Sequence, residues 1–431
     1  LTEHKMHFSC HLSYTPFIIT KSMKIFFLGI SGTFMGNLAQ MAKHQGHEVL
    51  GVDDKVYPPM SIELKSSGIN FSEGYVAKNY DSADLYVIGN TISRGNEIME
   101  NILKNEDKII SGPDWLYKNV LKNKKVIAVS GTHGKTSVTS MITHALIDNN
   151  ENPSYLVAGI PKGLNNSWNL TDSNYFIIEA DEYDTAYFDK KPKFFHYKPE
   201  ILLINNIEFD HADIYENVDQ IEQNFIELTE ELPKESVIYI NSAGVRKSFQ
   251  NEIKTNTNIE AQMVFFDAGT KDINEINRNI AIKGLEGIIS KDKVSESLEN
   301  YKGVKRRYDI IYDSEHFRLI DDFAHHPTAI KETLKIAKEE NQNITLIVEL
   351  GSNSMRKGIH DDALIQIFKE NSSYVISASE EQEKKFGMSA KPLTKDIINN
   401  LLQKEKSKKT ILMCGNKNFE GFQTLILDSL I

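Results

Sequence analysis

The stretch that decides the fold is Val126-Ile-Ala-Val-Ser-Gly-Thr-His-Gly-Lys-Thr136. It begins as the apolar run of a buried strand, and the sequence after Thr136 has apolar residues at the spacing of an amphipathic helix. Two glycines and a Lys-Thr pair lie between these elements. This order predicts a phosphate-binding loop, in which backbone amides and Lys135 bind phosphates and the Thr136 hydroxyl binds Mg²⁺.

The loop has the shorter form Gly131-Thr-His-Gly-Lys-Thr136, because Val129 stands where the usual spacing would have its first glycine. A tight strand-to-helix turn with a chance Lys-Thr pair is the alternative, and the matching elements on both sides favour nucleotide binding. A switch GTPase, a kinase and a ligase share such a loop, so other residues must separate them. The candidate ATP-binding residues of the loop are Gly131, Thr132, His133, Gly134, Lys135, Thr136 and Ser137.

Length and composition limit the class of protein. The chain has 431 residues, with 40% hydrophobic and 25% charged residues, and a prior of roughly 150 residues per domain predicts about three domains. A net charge of -11 argues against a nucleic-acid partner, which needs a basic surface. The apolar runs of the chain are far shorter than the roughly 20 residues that span a bilayer. With only Cys10 and Cys414 for disulfides, we expect a cytoplasmic protein.

The alternation of apolar strands and helical stretches predicts an α/β fold with three α/β domains. We expect an N-terminal extension at residues 1–22, a Rossmann-like N-terminal domain at 23–122, a central P-loop ATPase domain at 123–305 and a Rossmann-like C-terminal domain at 306–431. Met23, directly before the first strand, is the expected native start. The stretch from 237 to 297 has no clear strand pattern.

A second glycine turn follows the first predicted strand, Lys24 to Leu28. Its glycines, Gly29, Gly32 and Gly36, open a helix, and Asp53 ends the next strand about 20 residues on. The spacing is not the dinucleotide G-x-G-x-x-G, so the diphosphate of a UDP-linked substrate is the better interpretation. A nicotinamide dehydrogenase remains an alternative, which the phosphate loop at Gly131 to Thr136 disfavours.

Polar residues follow two strands of the central domain, in Ile177-Ile-Glu-Ala-Asp-Glu-Tyr-Asp184 and Leu203-Ile-Asn-Asn-Ile-Glu-Phe-Asp-His-Ala-Asp213. Open α/β sheets bind ligands at such strand ends. Glu179 and His211 are therefore predicted to hold or orient Mg²⁺ together with Thr136. The alternative is that these groups only solvate the edge of the sheet.

The third domain has a comparable strand end in Leu319-Ile-Asp-Asp-Phe-Ala-His-His-Pro-Thr328. The His-His pair does not predict zinc, because adjacent side chains on an extended segment point apart.

These strings resemble the Mur ligases over nearly the whole chain from Met23. The strings that carry the resemblance are, in chain order, Gly131-Thr-His-Gly-Lys-Thr136, Glu179-Ala-Asp-Glu182, Asn205-Asn-Ile-Glu-Phe-Asp-His-Ala-Asp213, Arg306-Arg307 and Asp321-Asp-Phe-Ala-His-His-Pro327. Within the family, further strings resemble the murein peptide ligases. They are Gly29-Ile-Ser-Gly-Thr-Phe-Met-Gly36, Val56-Tyr-Pro-Pro-Met60, Ser111-Gly-Pro-Asp-Trp115 and Glu182-Tyr-Asp-Thr-Ala-Tyr-Phe-Asp-Lys190.

The resemblance implies an ATP- and Mg²⁺-dependent ligase that joins L-alanyl-γ-D-glutamyl-meso-diaminopimelate to UDP-N-acetylmuramate through an acyl phosphate, in peptidoglycan recycling. It implies catalytic roles for Lys135, Glu179 and His211, and nucleotide contacts from Asn277, Arg307 and Asp322. The substrate-binding residues that it implies are Gly29, Gly32, Gly36, Asp53, Asn90, Arg94 and His325. We expect a monomer or weak homo-oligomer with no nucleic-acid or membrane partner.

The chain departs from the family pattern in two places. Ile273 stands where the family often has the histidine of a His-Asn pair, and Gly351 replaces the arginine of the family's Glu-Pro-Arg-Ser-Asn-Thr-Met string. Two alternatives therefore stay open. One is a UDP-N-acetylmuramate-L-alanine ligase, and the other is a nucleotide-binding regulatory protein that has lost ligation.

The acceptor of the ligation also needs binding groups. A tripeptide carries more charge than free alanine, and a lysine cluster lies near the expected reaction centre. Its members are Lys190, Lys191, Lys193 and Lys198. A solvated surface cluster is the plainer interpretation of these four residues.

Overall fold

The computed structural model describes residues 22–56, 58–209, 214–270, 272–388, 395–403 and 407–430. The chain divides into two compact units. The first contains the residues up to Leu116 together with Thr185–Lys190, and the second contains Tyr117–Asp184 and the chain from Lys191 onward. Among the described residues, no helix is long and apolar enough to cross a membrane.

The first unit is built on a parallel sheet of five strands in the order β3-β2-β1-β4-β5. Its strands are β1 (Lys24–Leu28), β2 (Glu48–Asp53), β3 (Asn70–Glu73), β4 (Leu85–Ile88) and β5 (Ile109–Ser111). Its helices are α1 (Thr33–His44), α2 (Met60–Ser66), α3 (Glu97–Lys104) and α4 (Gly112–Asn119), the last of which runs into the second unit. Strand β1 is central and apolar because helices cover both faces of such a sheet.

The second unit contains a sheet of seven strands in the order β14-β13-β12-β6-β9-β7-β8. These strands are β6 (Lys125–Ser130), β7 (Ser154–Leu156), β8 (Trp168–Asn169), β9 (Tyr175–Ala180), β12 (Ile201–Ile204), β13 (Val237–Asn241) and β14 (Gln262–Phe266). The accompanying helices are α5 (Lys135–Asp148), α6 (Val218–Glu231), α7 (Lys247–Thr255), α8 (Ile273–Gly284) and α9 (Lys291–Glu299). A two-stranded hairpin, β10 (Asp184–Ala186) with β11 (Asp189–Pro192), follows β9 in the chain, and its residues Thr185–Lys190 belong to the first unit.

Register in this sheet brings the predicted strand ends together. Strand β6 lies between β12 and β9, and its last residue, Ser130, pairs with Ala180 on one side and Ile204 on the other. The phosphate loop and the polar residues that follow β9 and β12 therefore leave the sheet at one edge. Helix α5 packs against the sheet through buried residues such as Val138 and Ile142.

The same unit contains a third sheet of five strands in the order β15-β16-β19-β17-β18. These strands are β15 (Asp309–Asp313), β16 (Phe317–Asp322), β17 (Ile344–Glu349), β18 (Ser372–Ile376) and β19 (Lys409–Cys414), with β15 antiparallel to β16. The helices are α10 (Pro327–Glu340), α11 (Asn353–Arg356), α12 (Asp361–Lys369), α13 (Glu380–Phe386), α14 (Lys395–Leu401) and α15 (Phe422–Leu430). The predicted α/β fold class, with three sheets in chain order, is confirmed.

The stretch from 237 to 297, which the sequence pattern left unassigned, contains β13, β14 and three helices, α7 to α9. Strand β14 is the edge strand and is only half-buried, from exposed Gln262 to partly exposed Phe266. Four of its five residues are apolar, but an apolar run this short does not distinguish a strand from a buried helical segment.

Candidate active site

The phosphate loop joins β6 to α5 and adopts backbone conformations that require glycine. Gly131 has φ +130° and Gly134 has φ +80°. A Cβ on Gly134 would lie 2.5 Å from Oδ1 of Asn277 and 2.6 Å from Nδ2 of Asn205. The loop therefore tolerates no side chain at this point, and α5 begins directly after it. The first N–H groups of such a helix have no partner within the helix and can face an anion.

Two asparagines after β12 hold the phosphate loop in place through hydrogen bonds. Asn206 accepts from the Thr132 N–H through its backbone oxygen at 3.0 Å and from the His133 N–H through Oδ1 at 2.8 Å. Asn205 donates through Nδ2 to the His133 carbonyl at 3.0 Å. These bonds fix the loop before any ligand arrives, which lowers the entropy cost of binding.

Lys135 lies back across the loop. Its Nζ donates to the Gly131 carbonyl at 2.6 Å and forms an ion pair with Glu182 at 3.2 Å. Burial lowers the pKa of Lys135, but the nearby charges of Glu182, Asp181 and Glu179 outweigh it and raise the pKa above its usual value. The lysine is therefore charged and ordered at the mouth of the loop.

Thr136 is the centre of a second set of contacts. Its Oγ1 donates to Oε2 of Glu179 at 3.1 Å and accepts from Nη2 of Arg307 at 2.9 Å. Glu179 also accepts from the Ala158 N–H at 2.7 Å. Burial raises the pKa of Glu179, since the Ala158 N–H and the Arg307 charge offset it only partly. A cation beside this carboxylate would supply the missing compensation.

The donor set around Thr136 fits a hard cation. A hydroxyl and a carboxylate are the oxygen ligands that Mg²⁺ takes in nucleotide sites, where phosphate oxygens and water complete its shell. His211, the third predicted ligand, lies outside the described residues. Within the described part of the chain, no group of three His, Cys, Asp or Glu side chains is arranged to hold a metal alone.

Arg307 reaches the loop from the segment that leads into the third sheet. Its neighbour Arg306 pairs instead with Asp321 at 3.1 Å and donates to the Gly415 carbonyl at 2.8 Å. Asp322 accepts from the N–H groups of Tyr308 at 2.6 Å and Ala324 at 2.7 Å. The two arginines thus have different tasks, one within the third sheet and one at the phosphate loop.

The remaining candidate nucleotide and acceptor residues of this unit differ in exposure. Asn277 is buried on α8, and its Oδ1 is 3.4 Å from Nδ2 of Asn205. Burial raises the pKa of Asp322. His325 is partly exposed, and its Nδ1 lies 3.0 Å from the Phe323 carbonyl. Asn277 therefore contacts the underside of the phosphate loop, while Asn274, one turn earlier, is exposed.

The predicted diphosphate turn of the first unit has its own internal bonds. Asp53 accepts from the Ser31 N–H at 2.8 Å and from its hydroxyl at 2.6 Å, and Tyr75 donates to the other carboxylate oxygen at 2.8 Å. Gly29 has φ +83°, and Gly32 directly precedes α1. Asp53 therefore shapes the glycine turn.

Three other residues predicted for this substrate site differ in their packing, exposure and contacts. A Cβ on Gly36 would lie 2.3 Å from Sδ of Met60, so this glycine permits close helix packing. Asn90 is exposed after β4. Arg94 makes a bidentate pair with Glu100 at 2.8 and 3.1 Å, which holds the pKa of that exposed carboxyl at about 2.

The lysine cluster is largely engaged in contacts within the protein. Lys191 pairs with Glu231 at 2.8 Å, and Lys193 pairs with Asp181 at 3.1 Å. Lys198 lies 5.0 Å from the centre of the Tyr117 ring. The structure thus favours local roles for these residues over free acceptor-binding charges.

Sequence reasoning did not assign a role to two residues that contact the loop. Glu182 ends the string Glu179-Ala-Asp-Glu182, but its pairing with Lys135 depends on how the chain turns after β9. Asn206 likewise shows its role only when β12 is placed beside β6. A polar run directly after a buried strand was the available signal for both residues.

Comparison with known proteins identifies the family. The family model described as "Mur ligase family, catalytic domain" matches residues 24–124, "Mur ligase middle domain" matches 129–294 and "Mur ligase, glutamate ligase domain" matches 306–417. The UDP-N-acetylmuramate-L-alanyl-gamma-D-glutamyl-meso-2,6-diaminoheptandioate ligase of Haemophilus influenzae is 34% identical, over 94% of this chain and 99% of that protein.

Two further proteins show the range of the similarity. The crystal structure of a murein peptide ligase from Psychrobacter arcticus matches with a TM-score of 0.73 and 28% identity, covering 95% of this chain and 99% of that one. The UDP-N-acetylmuramate-L-alanine ligase of Fusobacterium nucleatum is 29% identical over 88% of each chain. The similarity extends through all three sheets, and this chain belongs to the Mur ligase family of ATP-dependent, ADP-forming ligases.

Proposed function

We propose that this enzyme joins L-alanyl-γ-D-glutamyl-meso-diaminopimelate to UDP-N-acetylmuramate with conversion of ATP to ADP and phosphate, in peptidoglycan recycling. The similarity to a ligase of this printed specificity, at 34% identity over 94% of the chain, supports this choice of substrates. The geometric support is that Lys135, Thr136, Glu179 and Arg307 meet at one edge of the central sheet. We expect the reaction in the cytoplasm, where ATP is available.

We assign the three steps of recognition to three domains. Residues 23–122 bind the UDP-linked sugar, residues 123–305 bind ATP, and residues 306–431 contribute nucleotide and acceptor contacts. The proposed UDP-substrate residues are Gly29, Gly32, Gly36, Asp53, Asn90 and Arg94. His325 is the proposed substrate-binding residue of the C-terminal domain. The enzyme acts as a monomer or weak homo-oligomer.

In the first chemical step, a carboxylate oxygen of the muramoyl group attacks the γ-phosphorus of ATP, and the bond to the ADP oxygen breaks. Negative charge spreads over the transferred phosphoryl oxygens and the leaving oxygen. The Lys135 ammonium and the loop amides stabilise that charge. Thr136, Glu179 and His211 would hold Mg²⁺, which would supply further neutralisation of the phosphate charge.

In the second step, the amine of the peptide attacks the acyl carbon and phosphate leaves, which forms the amide bond. The amine must lose a proton, and the departing phosphate is an adequate acceptor. We assign Arg307, Asn277 and Asp322 to contacts with the nucleotide, and Arg307 also donates to Thr136. Exclusion of water protects the acyl phosphate from hydrolysis.

One assay tests this function against its alternatives. Phosphate release is measured with ATP, Mg²⁺ and UDP-N-acetylmuramate plus either the tripeptide or L-alanine, and the amide product is identified by mass. Release that depends on the tripeptide supports the proposal. Release that depends only on L-alanine indicates the alanine-adding reaction, which the Fusobacterium relative's name describes. Nucleotide binding with no release under either condition indicates a protein that has lost ligation.

A further inference from the structure

The ion pair between Lys135 and Glu182 joins a partly buried lysine to a buried glutamate. The Lys135 side chain is 15% exposed and the Glu182 side chain is 3% exposed, with Nζ 3.2 Å from one carboxylate oxygen and 3.4 Å from the other. Separating such a pair leaves charge in a poorly solvated place, which is costly. An arriving phosphate is therefore more easily added to the pair than exchanged for the glutamate.

The number of protons on the ammonium permits this addition. A lysine ammonium carries three N–H groups. One is directed to the Gly131 carbonyl at 2.6 Å and one to the Glu182 carboxylate, while the Thr132 carbonyl is a weaker contact at 3.4 Å. A third N–H can then meet a phosphate oxygen without loss of the other two bonds. The two fixed bonds restrict where this N–H points.

Glu182 is itself held in place from two sides. The Tyr215 hydroxyl donates to the Glu182 carbonyl at 2.6 Å. On the other side, the Lys193 N–H donates to the Tyr183 carbonyl at 3.0 Å, and the Lys193 ammonium pairs with Asp181 at 3.1 Å. These contacts close the base of the β10-β11 hairpin around Glu182. A carboxylate on such a fixed backbone can hold the flexible side chain of a lysine in one position.

We infer that Glu182 is a positioning residue that keeps hold of Lys135 during phosphoryl transfer and aims its remaining N–H at the transferred phosphate. This role rests on the proposed ligation, and it differs from that of Glu179. Glu179 contacts the Thr136 hydroxyl, whereas Glu182 contacts the loop lysine. The two carboxylates of Glu179-Ala-Asp-Glu182 thus act on different partners.

The inference predicts that binding and turnover respond differently to Glu182→Gln. Turnover falls at least tenfold, because an amide holds the ammonium less firmly than a carboxylate does. Affinity for ADP in EDTA, measured by calorimetry, does not fall, because the substitution removes a negative charge beside the phosphates. Such a split between kcat and nucleotide affinity is not expected from general damage to the fold.

A double-mutant cycle tests whether Glu182 acts through the lysine. In a Lys135→Met background, Glu182→Gln is expected to change the residual phosphate release, measured in a single turnover with enzyme in excess of ATP, less than twofold, since no ammonium remains to be aimed. Glu231→Gln is the matched control, because that glutamate pairs with Lys191 at 2.8 Å on an exposed surface. It leaves turnover and affinity within twofold of the wild type.

Three results overturn the inference. They are turnover of Glu182→Gln within twofold of wild type, an equally large loss in the Lys135→Met background, or parallel losses of turnover and ADP affinity. If Glu182→Gln does not fold, Tyr215→Phe replaces it, since it frees the Glu182 backbone without touching the carboxylate. It is expected to slow turnover about threefold, and only when Lys135 is present. An enzyme that uses L-alanine instead of the tripeptide overturns the proposed acceptor but leaves this cycle measurable.

Discussion

Arg307 donates a hydrogen bond from Nη2 to Oγ1 of Thr136 over 2.9 Å. The bond joins the segment before the third sheet to the first turn of α5, beside the carboxylate of Glu179. A residue that follows the central sheet in sequence therefore contacts the first turn of the helix after the phosphate loop.

We predict that Arg307→Ala lowers kcat/KM for ATP at least tenfold, which corresponds to about 1.4 kcal/mol. The substitution removes a guanidinium that is fixed beside the phosphate loop, and Arg307→Lys restores only part of the loss because an ammonium lacks the planar donor fork. Initial rates at varied ATP measure the effect.

Arg318→Ala is the control for this prediction. Arg318 lies in β16 and pairs with Asp313 and Glu340, so its loss should leave kcat/KM for ATP within twofold of the wild type. If both substitutions have the same small effect, the bond from Arg307 to Thr136 has no part in catalysis.

Lys135→Ala is expected to abolish ligation while the affinity for UDP-N-acetylmuramate stays within twofold of wild type. The lysine serves the phosphate loop of the central sheet, whereas the proposed UDP residues belong to the first unit. Phosphate release and calorimetric titration measure the two properties separately. Lys191→Ala, which removes an exposed partner of Glu231, should alter neither. Unchanged turnover of Lys135→Ala would contradict the assignment of the phosphate loop.

The fold was largely predictable because buried parallel strands have a strong local signal. The first predicted strand, Lys24 to Leu28, has the observed bounds. The edge strand β14 was not predictable from its pattern, because an apolar run of five residues fits a short strand and a buried helical segment equally well.

The site was predictable only as far as local sequence describes it. Strand ends and a glycine loop indicate where ligands bind, but they do not say which carboxylate meets which cation. Glu182 and Lys135 are separated by 47 positions, and Arg307 and Thr136 by 171. Such pairings depend on the order of strands in the sheet and on the path of the segment that leads into the third sheet. No local sequence pattern encodes either of them.

We predict that Glu179→Ala and His211→Ala each raise the Mg²⁺ concentration needed for half-maximal rate or eliminate turnover. Glu179 contacts the Thr136 hydroxyl at 3.1 Å, and both oxygens suit Mg²⁺. A Mg²⁺ titration of the phosphate-release rate measures the change, with thermal melts to confirm folding.

Glu200→Ala is the control for the Mg²⁺ titration. Glu200 is a half-exposed carboxylate directly before β12, and it pairs at 3.6 Å with Lys125, the first residue of β6. It should leave the Mg²⁺ requirement unchanged. Normal Mg²⁺ dependence in both Glu179→Ala and His211→Ala would mean that these strand ends only solvate the sheet.

Gly134→Ala is expected to weaken ATP binding at least tenfold and to lower the free energy of unfolding by about 1 to 3 kcal/mol. The added Cβ meets Asn277 and Asn205 at 2.5 and 2.6 Å, and the backbone has φ +80°. Gly163→Ala separates the two causes, since Gly163 has φ +93° but open space around it. It should cost stability and leave ATP affinity unchanged. Equal ATP affinities of the two variants would show that the packing of the loop is unimportant.

The last prediction concerns the amine that is accepted. The strings that resemble murein peptide ligases include three in the first unit and the string Glu182 to Lys190, whose first residue pairs with Lys135. A tripeptide brings charged γ-D-glutamyl and diaminopimelate groups that free alanine lacks, and each adds contacts in the transition state. Because Lys191 and Lys193 already pair with Glu231 and Asp181, these contacts must come mainly from other groups. We predict that kcat/KM for the tripeptide exceeds that for L-alanine at least tenfold, or about 1.4 kcal/mol. The same enzyme preparation is assayed with each acceptor at saturating ATP and UDP-N-acetylmuramate, and equal or better use of L-alanine would contradict peptide recycling while leaving phosphoryl transfer through Lys135 intact.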